Sequence, residues 1–204
     1  MKEYPSITKD IINTPIFGFD KLDGSSIRSE WNAKRGFYKF GSRTQLIDEK
    51  TPIVGKSVGV IKEKYEKDLH DLFKKERFES VICFFEFWGP SSFAGQHDPN
   101  ENQTVTLFDV NPYKKGILDP KEYLKLVGHL DIAKLLFQGN PNSQFIELVQ
   151  NGMLSGMTFE GVICKAKNLK RTPMPLMFKI KNLAWLEKLK RYCNGDEALF
   201  AKLA

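Results

Sequence analysis

Four places in this chain set charged side chains inside or at the end of apolar runs. They are Lys21 after "TPIFGFD", Glu86 in "SVICFFEFWG", Glu160 with Lys165 in "TFEGVICKAK", and Lys179 with Lys181 in "PLMFKIKN". A charge buried without a partner in such a run costs several kcal/mol, so it faces either solvent or a functional cleft. Lys179 and Lys181 stand at i and i+2, which puts both side chains on one face of a strand. The same alternation groups Phe84, Glu86 and Trp88. A face carrying lysines and carboxylates together can hold a metal–triphosphate, although each pair taken singly also reads as surface decoration. Lys21 has two readings as well: a solvated edge residue, or a nucleophilic amine at the rim of a pocket. It precedes Asp23, Gly24, Ser25 and Ser26, which are turn formers, Gly through its access to positive φ.

The elements that would position these groups follow from the patterning. "SIRSEW" and "FYKFGSR" flank "NAKRG" as a hairpin with a Gly-containing loop. Residues 58–75 place Val58, Ile61, Tyr65, Leu69, Leu72 and Phe73 on one helical face, with lysine and glutamate opposite. Strands are predicted over 80–89 and 104–110, joined by a Gly-, Pro- and Asn-rich loop over 89–103. "LDPKEYLKLVGHL" offers an Asp cap followed by Pro, a helix start. "NSQFIELVQNG" predicts a short helix ended by Gly152, "TFEGVICKAK" and "PLMFKIKN" predict two strands, and two helical segments close the chain. No repeat or linker interrupts this order, which predicts one α+β domain over residues 1–204.

Composition narrows the class. With 41% hydrophobic and 27% charged residues, the 204-residue chain has the balance of a water-soluble globular protein large enough for a sizeable core. No run approaches a membrane span and the first residues lack a signal-peptide apolar core, so a cytoplasmic, intracellular protein is expected. The formal net charge of +6 suits a phosphate-rich partner, nucleotide or nucleic acid. Cys83, Cys164 and Cys193 are widely spaced and form neither a disulfide framework nor a zinc motif. His70, His97 and His129 are scattered and read as surface or satisfied residues; Trp31, Trp88 and Trp185 read as packing. No GxxxxGK[ST] run is present, so any triphosphate would be held without a P-loop.

The order of the charged elements carries more than any one of them. "KLDG" (21–24), the "FEFWG" strand with Glu86, "LFD" (107–109), "EGVICK" (160–165) and "KIK" (179–181) resemble, in sequence, the motifs of the covalent nucleotidyltransferases, the superfamily of polynucleotide ligases and mRNA capping enzymes. The likeness runs over most of the chain. "FYKFGSRT" is similar to the Ser-Arg-Thr element of ATP-dependent RNA ligases of the phage RNA-ligase-2 type. DNA ligases usually carry an Arg just after the lysine motif, where this chain has Ser25, Ser26 and Ile27 before Arg28.

That resemblance implies a fold, a reaction and roles. The fold would be the nucleotidyltransferase one, antiparallel sheets around a nucleotide cleft with flanking helices. Lys21 would attack the α-phosphorus of ATP to give lysyl-AMP. Arg43 and Glu86 would contact the ribose and position the reacting ends. Phe108 would stack on adenine with Asp109 beside it. Glu160 would be the carboxylate on a divalent metal, Mg²⁺ or Mn²⁺. Lys179 and Lys181 would hold the α-phosphate, with Lys165 serving phosphate too. The residue types make chemical sense: an amine attacks only when neutral, free lysine titrates near 10.4, and neighbouring cations lower that value.

Few residues follow Lys181, so neither the OB-fold of DNA ligases and capping enzymes nor another C-terminal domain is expected within this chain. The implied activity is joining of RNA 5′-phosphate and 3′-hydroxyl ends, by an intracellular and potentially virus-encoded enzyme. A minimal DNA ligase, and a non-catalytic nucleic-acid-binding module on a ligase fold, are the alternatives. DNA ends, and a protein partner or dimer that helps hold nucleic acid, stay open; no membrane is expected.

Overall fold

The computed structural model describes residues 1–167 and 174–204. The chain runs β1 (Ile16–Lys21), β2 (Ser25–Asn32), β3 (Gly36–Gly41), β4 (Leu46–Ile47) and α1 (Lys56–Lys75). Then come β5 (Ser80–Trp88), β6 (Thr104–Pro112), α2 (Pro120–Val127), β7 (Leu135–Gly139) and α3 (Ser143–Gln150). It closes with β8 (Gly161–Ala166), β9 (Met177–Lys181), α4 (Leu183–Cys193) and α5 (Glu197–Leu203). The strands form two antiparallel sheets, ordered β7-β1-β8-β9 and β4-β3-β2-β5-β6. This is the expected α+β architecture.

Each layer follows from the patterning. The α1 face of Val58, Ile61, Tyr65, Leu69 and Phe73 is buried against the five-stranded sheet, where it meets Trp31, Phe85 and Leu107 in one apolar cluster. Full burial of a side chain of this size is worth roughly 1.5–3 kcal/mol. Tyr65 lies under the sheet with its hydroxyl donating to the Asp131 carbonyl at 2.7 Å, so its polar tip is satisfied. The four-stranded sheet packs on α3 through Ile16, Phe145, Val149, Val162 and Phe178. Asp119 caps α2 by accepting from the Lys121 N–H at 3.0 Å, with Pro120 in the first turn as the sequence predicts. Asn182 caps α4 through the Trp185 N–H at 3.1 Å.

Three local features differ from the sequence expectation. Ser25 and Ser26 are the first residues of β2, not part of a turn, so the chain changes direction over Leu22–Gly24 alone. Gly24 is needed there for lack of a side chain, not for positive φ. A Cβ on Gly24 would lie 2.2 Å from the Phe87 carbonyl oxygen and 2.9 Å from Trp88 Cβ. Strands β4 and β7, two and five residues long, went unmarked.

The short Leu22–Gly24 segment is the crossing between sheets. β1 ends in one sheet at Lys21 and β2 begins the other at Ser25. Whatever lies between the sheets therefore has Lys21 at its hinge.

Candidate active site

A cavity of about 590 Å³ opens between the two sheets. Its walls include Lys21, Arg43, Glu86, Phe108, Glu160, Lys165 and Lys179. Lys181 joins them through its ion pair with Glu160. The residues singled out from the sequence thus converge on one cleft, of a size typical of small-molecule sites.

The register explains the convergence. Gly161, first residue of β8, pairs with Lys21 on β1 at one side and with Lys181 on β9 at the other. Glu160 directly precedes Gly161, and its carboxylate lies between the two lysines. Lys21 Nζ donates to Glu160 Oε2 at 2.7 Å, and Lys181 Nζ donates to Oε1. Gly161 has φ +141, and a Cβ there would lie 2.1 Å from the Ile180 carbonyl oxygen. The glycine after Glu160 is therefore a requirement of close strand packing.

Charge in this cluster is unevenly held. Burial alone would push the Lys21 ammonium toward deprotonation, but Glu160, Glu86 and Asp23 outweigh it and raise its pKa above the usual lysine value. Lys181 behaves in the opposite way: burial, with Lys21 nearby, pulls it down to about 8 against the attraction of Glu160. Its ammonium also lies 3.7 Å from the centre of the Trp185 ring. Lys179 is lowered by burial and by the surrounding Lys21, Lys9 and Arg43. Glu86 is pushed up to about 8 by burial, which exceeds the pull of Lys21.

Asp23 is fixed from two directions. Its Oδ2 accepts from Trp185 Nε1 at 2.5 Å and its Oδ1 from the Ala94 N–H at 2.7 Å. One residue thereby ties the Lys21 crossing to α4 and to the 89–103 loop. Ser25 Oγ lies 2.8 Å from His97 Nε2, which fastens the same loop to β2. His97 is thus a satisfied residue, as expected; Trp185 packs as expected but also orients Asp23.

At the other end of the cleft Phe108 projects from β6 beside a bulge, its ring 6.3 Å from that of Phe84 and inclined by 28°. Ile163 of β8 lines the cavity as well. Lys165, expected on phosphate, is placed away from the lysine cluster. It pairs with Phe17 while Lys21 pairs with Gly161, about 13 Å of strand apart. Its ammonium is taken by Asp109 at 2.8 Å and by the Phe108 carbonyl at 2.9 Å. Arg43 is exposed on the turn after β3, at the cleft wall.

Sequence reasoning did not mark Tyr4, Ile163 or the second role of Trp185, and it gave no role to Arg28, which also lines the cavity. Trp185 carried one usable signal, its place four residues after Lys181 in the first turn of a helix.

Among the described residues no three His, Cys, Asp or Glu side chains gather as a metal cage. Glu160 alone is still a suitable hard oxygen donor. Mg²⁺ and similar ions commonly take one or two carboxylates and complete their shell with waters and substrate phosphates.

No family model and no curated protein matches the chain. Solved structures do. Naegleria gruberi RNA ligase with PPi superposes with a TM-score of 0.67 at 17% identity, covering 94% of this chain and 58% of that one. A variant of the same ligase with AMP and Mn gives 0.65 at 16% identity, covering 92% and 58%. Another with ATP and Mn gives 0.61 at 18% identity, covering 86% and 52%. The chain therefore spans little more than half the length of these ligase chains. Over that part it shares the fold of these RNA ligase chains.

Proposed function

We propose that this chain is an ATP-dependent RNA ligase module that joins 5′-phosphate and 3′-hydroxyl RNA ends through a lysyl-AMP intermediate. The observation that carries the reading is the Lys21–Glu160–Lys181 row at the hinge of a two-sheet cleft whose far end presents Phe108. The ligands named in the structural neighbours, ATP, AMP, PPi and Mn, support it. Within RNA ligases, the Ser42-Arg43-Thr44 turn supports a likeness to the phage RNA-ligase-2 type. Residues 1–204 are read as one adenylylation domain.

Each residue then has a task. ATP lies with its base on Phe108 and its phosphates toward the lysines, Arg43 and Glu86 flanking the sugar. A divalent ion held by Glu160 would neutralise phosphate charge and polarise the reacting phosphorus. Lys21 is held as an ammonium by Glu160; relief of that pair lowers its pKa, and the ammonium then releases a proton to water and becomes the free amine. The neutral Nζ attacks the α-phosphorus; the N–P bond forms, the bond to the bridging oxygen breaks, pyrophosphate leaves and the nitrogen sheds its extra proton to water. Lys179 and Lys181 stabilise the charge that develops on the α-phosphate. AMP passes next to an RNA 5′-phosphate, and a 3′-hydroxyl displaces it.

The test is incubation with ATP labelled in the α-phosphate and Mg²⁺, a denaturing gel, and peptide mapping. Label should appear on the peptide carrying Lys21 and be absent from Lys21→Ala. The alanine variant should still fold, because its side chain is 23% exposed and Glu160 keeps Lys181. Labelling of Lys21→Ala at the wild-type rate would overturn the assignment. RNA and DNA ends supplied in parallel then fix the substrate.

A further inference from the structure

The segment before β1 is built into the cleft. Arg28 Nη1 of β2 donates to the Met1 carbonyl at 3.3 Å, and the Lys179 N–H of β9 donates to the Thr8 carbonyl at 2.9 Å. Residues 1–8 are thus fastened to both walls, and Tyr4 lies between the two anchors. Its ring centre is 5.0 Å from that of Phe108 with the planes at 87°, and 4.9 Å from that of Phe84 at 67°. Its hydroxyl donates to Asp109, the carboxylate that also holds Lys165; Lys165 in turn donates to the Phe108 carbonyl. Asp109 is 1% exposed and Lys165 3%, so this chain of contacts is an interior one.

Tyr4, Phe84 and Phe108 line the same cavity, so a base that stacks on Phe108 has the Tyr4 ring as a neighbour set across it. With Tyr4 in place the cavity still holds about 590 Å³, ample for a nucleotide. Tyr4 need not leave for a base to enter.

We propose that Tyr4 is a base-contacting residue of the nucleotide subsite, an upright aromatic stop beside Phe108 whose angle is set by its hydroxyl on Asp109. This rests on the ATP-binding reading above. A base slid along Phe108 meets Tyr4, which fixes how far the nucleotide seats and so where its α-phosphate falls relative to Lys21. The hydroxyl is spent on Asp109, so the contact with the base is one of shape and ring electrostatics.

The test uses equilibrium binding in the Lys21→Ala background, where no chemistry follows binding. Titrations of ATP and of tripolyphosphate are compared for Tyr4, Tyr4→Phe and Tyr4→Ala. Tyr4→Ala should weaken ATP about tenfold and leave tripolyphosphate unchanged. Tyr4→Phe, which keeps the ring and loses the tether, should fall between. Parallel weakening of both ligands would mean a general structural role and overturn the proposal. Unchanged ATP binding would overturn it too, and tighter binding would make residues 1–8 an obstructing strap instead. Absence of lysyl-AMP in the wild type would sink the ligase reading, while these titrations would still decide whether Tyr4 touches the base.

Discussion

Lys21 and Glu160 are 139 positions apart in sequence and 2.7 Å apart in the fold. The pair places the proposed nucleophile and also restrains it, because a carboxylate that close favours the ammonium form. Lys181 on the other oxygen of Glu160 shares that carboxylate. The balance among the three groups is where the reactivity of Lys21 is set.

Replacing Lys181 by alanine should therefore do more than remove a phosphate contact. Glu160 would then be left to Lys21, the Lys21 pKa would rise, and lysyl-AMP formation would slow and move to higher pH. Lys181→Arg should restore the charge but not the full rate, since a planar guanidinium cannot copy a compact ammonium over Trp185. The measurement is the pH–rate profile of the first turnover. An unshifted profile in Lys181→Ala would remove it from the activation argument.

Glu86 should leave a signature on stability. Its pKa is about 8 in the folded chain against an ordinary 4.5, so between those values the folded state keeps a proton that the unfolded state has lost. That contribution is complete below about pH 4.5 and is lost as the pH rises through about 8. Asp20, Asp23 and Asp109 are also raised by burial and act in the same direction, so the difference between variants is the clean readout. Glu86→Gln should flatten the fall of thermal stability from pH 5 to 8. Parallel curves for both proteins would contradict the assignment.

Phe108→Leu should weaken ATP binding by about 1–3 kcal/mol, the range for loss of a base–aromatic stack. Phe108 is only half-buried, so the melting temperature should change little by comparison. A fall in melting temperature with ATP affinity intact would return Phe108 to a packing role.

Salt should separate the partial steps. The groups assigned to ATP lie inside the cleft, whereas holding RNA depends on phosphate contacts that weaken steeply with ionic strength. With a net charge of +6, raising salt from about 50 to 200 mM should suppress end joining far more than lysyl-AMP formation. Both are measured side by side on a 5′-phosphorylated RNA, and equal losses would refute the distinction.

The legible part of this protein is what alternation and charge reveal. Lys21, Glu160, Lys179 and Lys181 stood out because charges in apolar runs need a reason, and the cleft is that reason. Gly24 was the right residue for a different cause: steric approach to Phe87 depends on the neighbouring strand β5, which local patterning does not contain. Tyr4 was illegible because its partner Asp109 lies 105 positions away and its own segment has no strand or helix period. Lys165, read as a phosphate ligand, is paired with Asp109 in the fold, a contact that register along β8 creates and local patterning does not contain. Strand β7 was missed because it is short and its side chains are exposed or only half-buried, with no apolar alternation.

Because Lys21, Gly161 and Lys181 occupy one transverse row across β1, β8 and β9, the reactive grouping is specified by strand register and not by distance along the chain. Insertions in the chain between those rungs leave the row intact, whereas a one-residue slip of β8 would turn Glu160 away from both lysines. Such a grouping leaves length and composition elsewhere free to drift, and the architecture itself is shared with solved structures at only 16–18% identity. Distant members of this fold are then best sought by a carboxylate-Gly step whose glycine has a lysine-bearing strand on either side, with no fixed interval between them.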